Sequence, residues 1–194
     1  MSAGQHDLIL CLDLASIVGW ALWTVDGHLY ASGFWEIDDG EHEGDRWASF
    51  RTQLSKFVRK YVDRLCGIAF ERPILYGLTG RDWKSARVLF GQAAVLEMEA
   101  ARWQLPTAMV PPSEIKKLVT GNGNAPKAEV TKAIEIQTGP LLLKRGGKTK
   151  TERARADKAR SDEADARGVG MVVLVKYSMS ALKERRFVEA GCVA

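Results

Sequence analysis

The sequence predicts an α/β domain, a mixed five-stranded sheet with helices on both faces. Three observations lead there. Residues 8–14 (LILCLDL) form an almost continuous apolar run, the mark of a short central strand buried on both sides. Two stretches rich in β-branched and aromatic residues follow, joined by Asp26-Gly27, a hairpin signal whose two turn positions both take positive φ. Further on, apolar residues recur at spacings of three and four, the period of amphipathic helices that cross over a sheet.

Each element follows in order. Residues 8–14, 19–25 and 28–35 are the first three strands. After a polar break at 40–45, Trp47, Phe50, Leu54, Phe57, Val58 and Tyr61 fall on one helical stripe. Residues 66–71 (CGIAFE) are a fourth strand ended by Pro73, and residues 74–83, with two glycines and no clean period, read as a loop. A second helix covers 84–102 with Ala86, Leu89, Phe90, Ala93, Leu96 and Ala100 inward. Residues 107–110 are a fifth strand stopped by Pro111-Pro112, after which Ser113 caps a short helix over 114–119. Pro126 suits the first position of a helix running to about Gln137. The basic stretch 144–160 reads as a loop, and Ser161 caps a last helix over 162–176 with Val169, Val172 and Val173 inward. Residues 177–194 have no strong pattern and are expected to form a partly mobile tail, leaving 1–176 as a single domain.

The bulk composition narrows the function. A chain of 194 residues, 46% hydrophobic and 27% charged, has room for one well-cored globular domain and not for two large ones. No apolar run approaches the roughly 20 residues that span a bilayer, so no membrane partner is expected. The polar start, residues 1–7, lacks a signal-peptide pattern, which makes the cytoplasm the expected location. Cys11, Cys66 and Cys192 have no metal-ligand spacing; the first two lie in apolar runs and read as reduced core residues. The formal charge of +4 is unevenly spread. Residues 144–160 hold Lys144, Arg145, Lys148, Lys150, Arg153, Arg155, Lys158 and Arg160 against Glu152 and Asp157, so the rest of the chain is slightly acidic. A concentrated basic segment suits a polyanion partner, with a solvated loop as the plain alternative.

Four acids stand where acids are unexpected. Asp13 ends the first strand inside a buried run, and Glu71 ends the fourth after Ile68, Ala69 and Phe70. An ionised group at either place is costly without a partner or a cation. If these strands are parallel neighbours, both carboxylates emerge at the sheet edge where open α/β sheets hold their sites. Asp162 and Asp165, three apart, share a helix face with Val169, the face that meets the sheet. Taken singly, each has another explanation: Asp13 capping a turn with Ser16, Glu71 pairing with Arg72, Asp162 and Glu163 favouring a helix dipole. Taken together, four converging carboxylates repel one another unless cations bridge them. Hard oxygen ligands select Mg²⁺ or Mn²⁺. Two such ions about 4 Å apart suit phosphodiester hydrolysis, one activating water and one stabilising the leaving oxygen.

At these residues the chain resembles the RuvC family of Holliday-junction resolvases, including its phage relatives, within the ribonuclease H-like nucleases. The family's opening Asp, small turn and TG(Y/W) is similar to LDLASIVGWALW at residues 12–23, and its apolar strand ending in Glu to GIAFERP at 67–73. VPPSEIKKLVTGNGNAPKAEV at 110–130 follows the family's proline, lysine and TG.G.A.K..V run, and DEADA at 162–166 resembles DAADA. The resemblance runs from residue 8 to residue 175 in order.

The resemblance implies a ribonuclease H-like fold and two Mg²⁺ ions, or Mn²⁺ in their place, held by Asp13, Glu71, Asp162 and Asp165. It places Lys116 and Lys127 near the scissile phosphate, where an ammonium offsets charge on the transferring group. It implies a homodimer that cuts four-way and other branched DNA. Tyr76 is the candidate for stacking on a base in the loop after Glu71, with local packing as its alternative. Arg81, Lys84, Lys117, Lys144, Arg145, Lys148 and Lys150 are the expected DNA contacts. Three departures stand out: Ala15 replaces the usual glycine, the basic stretch before Asp162 is longer than in compact bacterial enzymes, and no phenylalanine matches the junction aromatic. The long basic stretch tilts the expected origin toward a phage, and the departures leave room for a general debranching or flap nuclease. An RNA–DNA hybrid nuclease and a junction-binding protein without catalysis are the other readings.

Overall fold

A computed structural model describes residues 7–38, 40–74, 80–141 and 149–177. Ten elements follow in order: β1 (Leu8–Asp13), β2 (Ile17–Thr24), β3 (Leu29–Glu36), α1 (Glu43–Tyr61), β4 (Leu65–Glu71), α2 (Gly80–Arg102), β5 (Thr107–Val110), α3 (Pro112–Thr120), α4 (Lys127–Thr138) and α5 (Lys150–Lys176). The five strands form one sheet in the order β3-β2-β1-β4-β5. The hairpin strands pair antiparallel, while β1–β4 and β4–β5 are parallel, as helical crossovers require.

The sheet separates two cores by side-chain parity. On β1, Leu8, Leu10 and Leu12 face α1 and α2, where Phe50, Leu54, Val58 and Leu96 meet them. Trp20, Trp35, Phe57 and Tyr61 extend that core with ring centroids 4.8–6.5 Å apart. On the other face, Ile9, Cys11, Ala21, Ala69 and Ala108 meet α3, α4 and α5. All but Ile9 are small, so α5 lies close against the sheet. Both described cysteines, Cys11 and Cys66, are buried and reduced. No described helix is long and apolar enough to cross a membrane.

Several boundaries differ from the sequence expectation. The 26–27 turn is not a two-residue hairpin turn: Gly27 alone has positive φ, +97°, and its N–H donates to the Thr24 carbonyl at 3.0 Å. Thr24 in turn bonds His28, so three residues form the loop, with glycine at the left-handed position. Helix α1 starts at Glu43 rather than Trp47, because Asp45 accepts the His42 N–H at 2.9 Å and closes a capping box. Helix α2 begins at Gly80, so the end of the expected 74–83 loop is helical. Phe90, expected inward, is 44% exposed because it turns away from the stripe of Leu89, Ala93 and Leu96 that meets the sheet. Pro111, not Ser113, is the N-cap of α3, and Pro126 precedes α4 rather than opening it.

The largest correction concerns the basic stretch. It is helical from Lys150, and Ser161 lies inside α5 instead of capping it. Thr149 accepts the Glu152 N–H at 3.1 Å and the Glu152 side chain accepts the Thr149 N–H at 3.0 Å. This capping box starts a run without breakers, rich in Ala, Arg, Lys and Glu. Asp162 and Glu163 are therefore three turns into a helix, and a dipole role for them falls away.

Candidate active site

The site grows from strand pairing. Leu12 of β1 is in register with Phe70 of β4, so the next residues, Asp13 and Glu71, leave the sheet side by side at the parallel carboxyl ends. Asp13 continues the odd-numbered side of β1, the side facing α5. Helix α5 brings Asp165 to the same point, and Asp13, Glu71 and Asp165 each offer a carboxylate oxygen within 4.8 Å of the others.

Close approach of α5 at the acids depends on Gly19 of β2, as Gly170 lets the helix approach Trp23 further along. Gly19 pairs with Asp13 across the hairpin, and a Cβ there would lie 1.9 Å from the Asp162 carbonyl oxygen. The turn after Asp13 is tethered by buried Gln92 of α2, whose Nε2 donates to the Ala15 carbonyl at 3.0 Å.

Asp162 sits beside the triad, 1% exposed, but its oxygens face two lysines. Lys158 Nζ donates to its Oδ2 at 2.5 Å, and Lys127 Nζ is 3.6 Å from its Oδ1. Lys127 also lies 2.9 Å from Asp165 Oδ2. Lys127 occupies the first helical position of α4, placed there by the Pro126 cap. Lys116 of α3 joins Asp13, Glu71, Lys127 and Asp165 in lining a cavity of about 390 Å³.

The charge balance is unfavourable to ionised carboxylates. Burial, then the neighbouring Asp165, Glu71 and Asp162, push the Asp13 carboxyl well above its ordinary range, with Lys127 in partial opposition. Burial and then Asp165 push Glu71 up to about 7. Burial also raises Asp165, against the pull of Lys127. Lys127 would be lowered by its burial, but Asp165 and the other acids hold it above the usual lysine range. The cluster thus lacks positive charge, and its donors are hard oxygens, which fits a divalent cation of the Mg²⁺ or Mn²⁺ kind.

The other expected contacts are scattered. Lys117 is exposed, about 100° around α3 from Lys116 and away from the cavity wall. Lys150 is exposed at the start of α5, about 18 Å along the axis from Asp162. Arg81 and Lys84 lie on α2, but their side chains, like Tyr76, Lys144, Arg145 and Lys148 entirely, lie outside the described residues. Sequence reasoning missed Lys158 as a site neighbour. Its signal is the four-residue spacing to Asp162, which counts only once the helix reaches back to Lys150.

A mixed sheet of this order, with acids ending β1 and β4 and a closing helix carrying the third, defines the ribonuclease H-like class. Solved structures agree on the fold. RuvC of Thermus thermophilus superposes with a TM-score of 0.61 at 16% identity, covering 86% of this chain and 92% of that one. The yeast mitochondrial Holliday junction resolvase Ydc2 gives 0.52 at 13% identity, covering 93% and 82%. In sequence, the crossover junction endodeoxyribonuclease RuvC of Synechococcus sp. strain RCC307 is 31% identical over 139 residues, 72% of this chain and 75% of that protein. The chain belongs to the RuvC family. It spans less of some relatives: 62% of the RuvC of Synechococcus sp. strain WH7803, at 29% identity over 102 residues, and 59% of that of strain CC9311. No family model matches the chain.

Proposed function

We propose that the protein is a metal-dependent endodeoxyribonuclease that cuts branched DNA, four-way junctions above all. The observation that carries this reading is the meeting of Asp13, Glu71 and Asp165 in a cavity also lined by Lys116 and Lys127. Two Mg²⁺ or Mn²⁺ ions held by these acids and Asp162 supply water activation and charge neutralisation. Lys116 and Lys127 approach the scissile phosphate from the α3–α4 side and offset its charge. Gly19 and Gln92 hold the acids in place, the one by admitting α5 and the other by tethering the turn after Asp13.

The substrate reading rests on family membership and on T. thermophilus RuvC, whose structure holds a Holliday junction substrate. The exposed basic half of α5, with Lys150 and Arg155, is suited to backbone phosphates. Tyr76 stacks on a base at the branch, with Arg81, Lys84, Lys117, Lys144, Arg145 and Lys148 as further DNA contacts. The active form is a homodimer joined through α2, whose outer stripe leaves Trp83 57%, Phe90 44% and Met98 70% exposed. The described part of residues 1–176 serves as the nuclease domain, and the expected tail beyond Tyr177 lies outside the described residues.

The test incubates the protein with Mg²⁺ and a four-way junction, a fork, a flap, linear duplex and an RNA–DNA hybrid, beside Asp13→Asn. Paired symmetric nicks on the junction, lost in the variant, are the expected result. Equal cutting of forks and flaps makes the protein a general debranching nuclease, and cutting of the hybrid alone makes it an RNA-directed one. Tight binding with every strand intact overturns catalysis.

A further inference from the structure

Three acids form a compact triad, while the fourth, Asp162, is held by lysines on both oxygens. We infer that Lys158 is a built-in competitor for the second cation, occupying Asp162 in the metal-free protein and leaving it when that ion binds. The inference rests on reading the four acids as metal ligands and not on nuclease activity.

The geometry and the energetics agree. Asp162 is almost fully buried, and a buried carboxylate needs a counter-charge to stay ionised. Lys158 provides one at 2.5 Å from one turn earlier on the same helix. A cation placed N-terminal to its acid at this spacing is the less stabilising orientation for a helix. The contact therefore answers the need of Asp162 more than that of α5. Lys158 itself is 42% exposed, so its ammonium can swing into water at little cost. Lys127 is differently placed, because it bridges Asp162 and Asp165 and contributes to the cavity wall. A divalent ion on Asp162 Oδ2 and an ammonium on the same oxygen repel each other at contact distance, so the two are mutually exclusive ligands.

The test is Mn²⁺ binding to the protein alone, without DNA, read by the electron paramagnetic resonance of free Mn²⁺ and by calorimetry. Wild type should show one tighter and one weaker step. Lys158→Gln should tighten the weaker step by about tenfold, the size of a modest coupling between exclusive ligands. Its metal-free Tm should fall, and the deficit should close at saturating Mn²⁺. Lys132→Gln, which removes an equal charge from an exposed position on α4, should shift the weaker step far less. Lys158→Arg, which keeps the charge and covers the case of a misfolded Gln variant, should leave that step as weak as in wild type or weaker. An unchanged or weaker second step in Lys158→Gln, an equal shift in Lys132→Gln, or a tighter step in Lys158→Arg each overturns the inference. If wild type binds no Mn²⁺ at millimolar concentration, the metal-site reading itself fails, and this inference with it.

Discussion

Gly19 and Asp13 face each other across the hairpin, and their side chains, one absent and one charged, set the conditions for the site. Adding one methyl group at residue 19 drives it into the Asp162 backbone, where no flexible side chain can yield. Gly19→Ala should therefore lose about 1–3 kcal/mol of stability, typical of overpacking, as read by urea denaturation. Its Mg²⁺-dependent cleavage should drop at least tenfold, because α5 carries Asp162 and Asp165 away from β1; cleavage at the wild-type rate would refute the close-approach argument. Asp13 shows the opposite trade. Its charge is opposed by burial and by three acids, so removing it relieves the metal-free fold. Asp13→Asn should raise the metal-free Tm at pH 7 and abolish the Tm gain that Mg²⁺ gives wild type. A lowered Tm would mean that Asp13 is held by contacts other than the acidic cluster.

At the scale of elements, α5 decides the geometry, and a buried ion pair helps to fix its rotation. Arg167 donates to Glu163 at 2.7 Å, to Ser32 of β3 at 3.0 Å, and to Thr138, Gly139 and Pro140 at the end of α4 at 2.9–3.1 Å. Glu163 and Arg167 are both buried and opposite in charge, and the Ser32 hydroxyl bridges them by accepting from Arg167 and donating to Glu163 at 2.7 Å. Arg167→Met should cost about 3–5 kcal/mol by removing the guanidinium that faces buried Glu163. Glu163→Ala combined with Arg167→Leu should recover part of that loss in the same denaturation experiment. Recovery stays partial because the carbonyls of Gly139 and Pro140 lose their donor. If the double variant is less stable than Arg167→Met, the pair does not behave as a coupled unit.

For the whole molecule, the acidic cluster couples stability to pH and to metal. Glu71 titrates near 7 in the folded chain against an ordinary 4.5, so the folded state binds the proton more tightly than the unfolded state does. Its stabilising contribution is complete below pH 4.5 and is lost as pH rises through about 7. Asp13 and Asp165 shift in the same direction. The metal-free Tm should therefore fall between pH 5 and pH 8 more steeply in wild type than in Glu71→Gln, and Mg²⁺ should restore more at pH 8 than at pH 5. Parallel profiles for the two proteins would show that Glu71 is not so perturbed. The outer stripe of α2 gives a second expectation at this scale. Phe90→Glu with Met98→Glu should convert a dimer to monomers by light scattering while leaving the far-ultraviolet circular dichroism intact. A wild-type monomer would remove the proposed dimer.

The sheet was legible because burial on both faces leaves an apolar run such as LILCLD, and because β-branched residues and glycine mark a hairpin. Asp13, Glu71 and Asp165 stood out for the same reason: charge in an apolar context requires explanation. Local chemistry also held more than was read from it, since Thr149 and Glu152 spell a capping box that starts α5 twelve residues earlier than expected. Basic composition suggested a loop, but helix propensity and the cap decided otherwise. Only the tertiary structure could show that β1 and β4 are in register, that Gly19 admits α5, and that Asp162 faces Lys158 rather than the triad. Those are distances between residues far apart in the chain or around a helix. They depend on how closely two packed surfaces approach, and a pattern of residue types along one strand or helix does not contain that distance.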